Sequence, residues 1–253
     1  MQRKPIFLVT VLLILHSIPC FSSASVTIPW WYHPFITVSG GWSTAQVGKT
    51  QTLTMNGDFT TYQYYKNGSN SNRGMGGAFL GTEIPLRPQW DLQAGLGFYQ
   101  PASFSTGNSI LIQGVDAPSS NQYIYSYKVK SSQLLAEGKL LWRVKEFFHP
   151  YATFGLGVAF NDSSNYTTNV PPFVTFTPQF TNHINAAFSY SVGLGMDLDV
   201  YKKWRVGAGY RFTDLGKANL GLGPLDVTPF TSSLSQSHLY AQEVVAQLSY
   251  FLS

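Results

Sequence analysis

The chain has 253 residues, with 16 Lys and Arg against 12 Asp and Glu and a single cysteine, Cys20. So small a basic excess, gathered into no stripe, excludes a nucleic-acid footprint. One thiol excludes both a disulfide framework and a cysteine-ligated metal.

Arg3 and Lys4 form a basic n-region, Ile6 to Ile18 a largely apolar h-region, and Phe21-Ser22-Ser23-Ala24 a small-residue cleavage site. Residues 1–24 therefore read as an export signal. Thr10, His16, Ser17 and Pro19 interrupt the apolar run, which falls short of the roughly 20 residues a spanning helix needs. Cys20 lies inside this signal, and Ser17 and Pro19 make it a poor lipid-attachment box. Residues 25–253 read as one domain without cysteine, with fourteen basic residues against twelve acids once Arg3 and Lys4 are removed.

From Pro34 onward, eight segments alternate apolar with small or charged residues. Phe35 to Ser43 sets Ile36, Val38 and Trp42 against Thr37, Ser39 and Gly41. Gly76 to Ile84 sets Ala78, Leu80 and Ile84 against Gly77, Phe79, Gly81 and Glu83. Trp90 to Tyr99 sets Leu92, Ala94, Leu96 and Phe98 against Asp91, Gln93, Gly95 and Gly97. Tyr127 to Trp142 is the noisiest, because Leu135 and Leu141 share the face of Gln133, Glu137 and Lys139. Tyr151 to Phe160 alternates cleanly, and Ile184 to Val200 does so for seventeen residues. One membrane crossing needs only about 9–11 residues, so this sixth strand is expected to project beyond the bilayer. Trp204 to Phe212 places Arg205, Gly207, Gly209 and Arg211 on one face, and His238 to Leu252 places Glu243, Val245, Gln247 and Ser249 likewise. Period two over such lengths means β structure, since a helix would mix the two classes.

The connections alternate too. Brief turns fall at Arg87-Pro88, Lys145–His149 and Tyr201–Lys203, and long polar loops span Thr44–Arg73, Gln100–Tyr123, Asn161–Asn182 and Thr213–Ser237. The expected fold is all-β: an eight-stranded antiparallel transmembrane β-barrel with short periplasmic turns and four long extracellular loops.

Glu83, Asp91, Glu137, Lys139, Asp197, Asp199, Arg205, Arg211 and Glu243 all share the glycine face. A basic residue turned to hydrocarbon near the midplane costs about 2–4 kcal/mol. That face is therefore read as the lumen, with Glu83, Glu137, Lys139, Asp197, Arg205, Arg211 and Glu243 as a charge network that fills a space barely wide enough for its side chains. Trp30, Trp31, Trp90, Trp142, Trp204 and Tyr250 are expected to form an aromatic girdle at the periplasmic interface. A soluble lipocalin-like carrier, suggested by Gly40-Gly41-Trp42, would have to bury the apolar face. It would then leave Gly155, Gly157, Gly193, Gly195, Gly207 and Gly209 on a solvent surface.

Chemistry-bearing residues are sparse. Ser237-His238, with His183 at another strand mouth, is the only material for a hydrolase, and no nucleophile-elbow Gly-x-Ser-x-Gly is present. No clustered His and carboxylate set has metal-ligand spacing and no phosphate loop precedes a helix, so no cofactor is expected.

His149-Pro150-Tyr151-Ala152-Thr153-Phe154-Gly155-Leu156-Gly157 resembles the Pro-Tyr, Gly-x-Gly fifth strand of the OmpA-like and opacity-protein superfamily of small bacterial outer-membrane proteins. Val206-Gly207-Ala208-Gly209-Tyr210-Arg211-Phe212-Thr213-Asp214-Leu215-Gly216 resembles its seventh strand. Gly40-Gly41-Trp42 and Gly77 to Glu83 fit the same scheme, and the resemblance covers the mature chain. It implies a bacterial outer-membrane barrel with loops at the cell surface, in contact with outer-membrane lipids and with the barrel-insertion machinery during biogenesis. Members are linked variously to adhesion, host interaction and envelope integrity. Two departures stand out: the ending Tyr250-Phe251-Leu252-Ser253 lacks a terminal aromatic, and no peptidoglycan-binding domain follows the barrel. The function expected is non-enzymatic binding or adhesion of host or extracellular molecules through the loops Gln51 to Asn72, Tyr166 to Thr181 and Leu215 to Gln236. The alternative is a structural envelope protein with no dedicated ligand.

Overall fold

A chain that alternates apolar and polar residues must offer one kind of surface to each side of its sheet. The structure, a computed structural model, describes residues 33–54, 61–66, 68, 70–113, 122–169, 179–223 and 232–252. The expected signal 1–24, Trp30, Trp31 and Pro171-Pro172 lie outside these residues. Eight long strands carry the fold: β1 (His33–Ala45), β2 (Ser71–Arg87), β3 (Trp90–Pro101), β4 (Gln122–Trp142), β5 (Phe148–Asn169), β6 (His183–Tyr201), β7 (Trp204–Asp214) and β8 (Tyr240–Phe251). Each pairs antiparallel with the next in sequence, and β8 pairs with β1 from Phe35↔Phe251 to Ala45↔Ala241. Every core strand thus has two neighbours, and chain order is spatial order around a ring of eight. Among the described residues no helix is long and apolar enough to cross a membrane.

The polarity of the ring is the inverse of a water-soluble core. On β6, Phe188, Val192, Leu194 and Met196 are exposed while Ser189, Ser191 and Asp197 are buried. Phe154 and Ala208 also face outward. A lipocalin-like carrier requires the opposite arrangement. Leu135 and Leu141, which blurred the fourth segment, are fully buried on the inner face. Leu135 lies against Gly155, where an added Cβ would crowd its side chain, so the missing side chain on β5 makes room for the extra one on β4.

The connections differ from expectation at one end only. The turns between β2 and β3, β4 and β5, and β6 and β7 are short. The long connections, expected as loops, contain further strands: Gln51–Thr54 pairs with Thr61–Tyr65, which pairs with Ser109–Gln113, which pairs with the start of β4. Leu53, Tyr62, Tyr64, Leu111, Tyr123, Tyr125 and Tyr127 turn inward and bury with Phe104, Phe180, Leu215, Leu220, Leu234 and Leu239 in one apolar cluster. Tyrosines alternating with Thr and Gln read as a polar loop, yet their rings supply a core. Burial pushes the Tyr64 phenol well above its ordinary pKa.

β5 also runs past Phe160 to Asn169, pairing with β4 in register to Ser164; there Asn165 takes a left-handed φ of 57°, which Asn tolerates, and the β4–β5 register slips between Ser126 and Lys128. The slip turns Tyr166 toward the cluster, 5.0 Å from the Phe180 ring. β8 begins at Tyr240 rather than His238, and Leu239 packs into the cluster instead.

Candidate functional site

Period two places a side chain inside or outside; register decides whom it meets. Near the turn end, Arg205 bridges Glu83 and Asp199, Gln93 donates to Glu83 at 2.7 Å, and His149 lies 2.8 Å from Asp199. Arg143, at the rim, donates to both oxygens of Asp91, through Nη2 to Oδ1 at 2.6 Å. Further up, Lys139 donates to Asp197 at 2.7 Å and to Gln247 at 3.1 Å, its ammonium 3.9 Å from the centre of the Tyr151 ring. Next, Arg211 donates through Nε to Glu243 at 2.6 Å and lies 3.5 Å over the Tyr99 ring. Ser43 also donates to Glu243. Glu137 has two hydroxyl partners, Tyr99 at 2.8 Å and Thr153 at 2.9 Å.

The seven charged residues singled out from the sequence are thus brought into three ion-paired groups, Glu83 with Arg205, Lys139 with Asp197 and Arg211 with Glu243, plus Glu137. Sequence reasoning missed Tyr99, Tyr151 and Thr153 as their partners. Strand parity was the available signal, since all three fall on the face of Gln93, Gly95 and Gly155. Between Tyr99, Glu137, Tyr151 and Arg211 the space left is about 10 Å³, no larger than a single water requires. The interior is closely packed at this level.

The packing depends on two glycines. A Cβ at Gly195 or at Gly209 would collide with the Tyr151 hydroxyl, which lies across both. Gly195→Val should therefore destabilise the fold by about 1–3 kcal/mol, read as a lower urea midpoint, while Gly40→Val, which points into open space, should have little effect.

Above the charges, Asn161 receives a hydrogen bond from Ser131 and donates to the carbonyls of Leu215 and Lys217. Asp214 accepts from the Gly216 amide at 2.8 Å and meets His238 Nδ1 at 2.7 Å. This tie fixes the connection before β8 to the end of β7. Among the described residues no hydrogen bond joins Ser237 Oγ to the imidazole, so the residues considered for a hydrolase form a His–Asp pair without a bonded nucleophile. Nor does any group of three or more His, Cys, Asp and Glu there have a metal-holding arrangement.

On the outside at the turn end, Trp90 stacks on its register partner Trp142 at 6.0 Å, and Trp204 meets its partner Tyr250 at 4.8 Å. All three tryptophans are more than a third exposed.

A family model for the outer membrane protein beta-barrel domain matches residues 35–250. No curated protein matches the chain. Among solved structures, OprG from Pseudomonas aeruginosa is 13% identical, covering 86% of this chain and 96% of its own with a TM-score of 0.47. Neisserial surface protein A is 9% identical, covering 86% and 96% with a TM-score of 0.43. The outer membrane protease OmpT from Escherichia coli is 11% identical, covering 89% and 98% with a TM-score of 0.45. Identities and TM-scores at this level transfer neither activity nor ligand. With nearly all of its core strands inside the family match, the chain belongs to the outer membrane protein β-barrel domain family and resides in the outer membrane.

Proposed function

We propose that the chain is an eight-stranded transmembrane barrel of the OmpA-like, opacity-protein branch, with its tight turns periplasmic, and that its cell-surface end binds extracellular or host molecules without catalysis. The observation that carries this reading is a row of apolar side chains at that end. Tyr65, Ile110 and Ile124 are register partners across three strands and are 39%, 43% and 45% exposed. From Trp142 to Ile124 the strand rises about 60 Å, or about 46 Å along the membrane normal at a 40° tilt, against an apolar band of about 25 Å. Lys128 and Lys130, both exposed, lie between the row and that band. The row therefore has no lipid to cover it, and an uncovered apolar patch on a paired sheet suits a partner surface.

In this reading the lumen network of Glu83, Glu137, Lys139, Asp197, Arg205, Arg211 and Glu243 holds the barrel rigid and plugged. The girdle of Trp90, Trp142, Trp204 and Tyr250 anchors it among outer-membrane lipids after the insertion machinery has delivered it. Replacing the row by Tyr65→Asn, Ile110→Thr and Ile124→Thr should reduce whole-cell adherence to host surfaces several-fold while the surface level of the protein is unchanged. Undiminished adherence, together with detergent sensitivity on complete deletion, would support the structural envelope role instead.

A further inference from the structure

A cleft of about 650 Å³ lies where β1 and β8 leave the apolar band, lined by Thr44, Gln46, Lys49, Lys66, His238 and Gln242 among others, with no carboxylate among its lining residues. Lys66 Nζ donates to the Gln46 side-chain oxygen at 2.6 Å, an uncharged partner, and Lys49 is exposed. His238, a lining residue whose side chain is 58% exposed, is held through Nδ1 by Asp214. Directly below, on the same outward faces, Trp42 and its register partner Val244 are 71% and 58% exposed. Tyr240 stacks on Phe212 and on His238 at the boundary. Ten residues of β8 separate Tyr240 from Tyr250, about 34 Å of strand and about 26 Å along the normal, which places Tyr240 at the far edge of an apolar band of about 25 Å.

We propose that this cleft binds the phosphorylated headgroup of an outer-leaflet lipid, with Lys49, Lys66 and His238 on the phosphate and the acyl chains against Trp42 and Val244. A cleft with two lysines and no carboxylate among its lining residues, set on an apolar strip, matches an anionic amphiphile, and its level commits it to a lipid rather than to a free ion. The inference rests on the membrane placement proposed above and is independent of the adhesion reading.

The test uses the full protein reconstituted in phosphatidylcholine vesicles doped with a bis-phosphorylated, acylated glucosamine disaccharide, with bound lipid read by native mass spectrometry. Lys49→Gln with Lys66→Gln should weaken binding about thirtyfold, and Lys49→Gln alone about fivefold. Lys128→Gln with Lys130→Gln, which removes the same charge elsewhere, should change it little. Equal losses from the two double variants, or equal binding of the dephosphorylated lipid, would overturn the proposal. Competition by inorganic phosphate at concentrations equal to the lipid would reassign the cleft to a free anion. Wild-type protein that fails to float with the vesicles would overturn the membrane placement and this inference together, whereas loss of adherence alone would touch neither.

Discussion

Met196→Arg should cost the bilayer-reconstituted protein about 2–4 kcal/mol of unfolding free energy, and Ile124→Arg should stay within about 0.5 kcal/mol of wild type. Both residues are outward and about half exposed, at 51% and 45%, so exposure alone predicts equal effects. Depth separates them. Met196, partnered with Pro150 and Ala208, lies five residues from Tyr201, about 13 Å along the normal and near the middle of the apolar band. Ile124 lies beyond the band. Urea unfolding in vesicles measures both, and a neutral Met196→Arg would mean that this wall does not face hydrocarbon.

Glu243→Ala should be more damaging, at about 3–5 kcal/mol, because it strands the guanidinium of Arg211 in the interior. Arg211 is 4% exposed and Glu243 1%. Glu243 also accepts from Ser43 and Thr213, so three donors, one on β1 and two on β7, lose their common acceptor. Replacing both partners, Arg211→Met with Glu243→Leu, removes the unpaired charge and should recover much of the loss. A lowered midpoint for the single variant and a partial return for the double variant are the expected pattern. A single variant costing under about 1 kcal/mol would show that water reaches Arg211 freely.

The eight core strands were legible in the sequence because their two faces differ in kind. Only an alternation of period two keeps Thr37 and Glu83 off the surface that carries Val38 and Leu80. Face is all that periodicity gives. That Lys139 meets Asp197 rather than Glu137 depends on strand neighbours and stagger, which no single strand encodes. The folded upper end was obscured for two physical reasons. Tyr62 and Tyr64 alternate with Thr61 and Gln63, a pattern whose apolar content lies in the rings of a nominally polar residue. The left-handed Asn165 then breaks the period in β5, so Tyr166 falls out of phase with Phe160 although both belong to one strand.

The pairing of β1 with β8 joins the first core strand to the last, so this joint can form only after Tyr240–Phe251 has been made. Until then β1 and β7 each present an unpaired edge, the feature that drives strands to associate between molecules. Contacts separated by some 200 residues are also among the slowest to find one another. The unfolded chain therefore needs chaperoning until β8 has docked, and a nonsense mutation between Asp214 and Tyr240, which leaves the edges of β1 and β7 open, would yield an aggregating species rather than a smaller version of the protein.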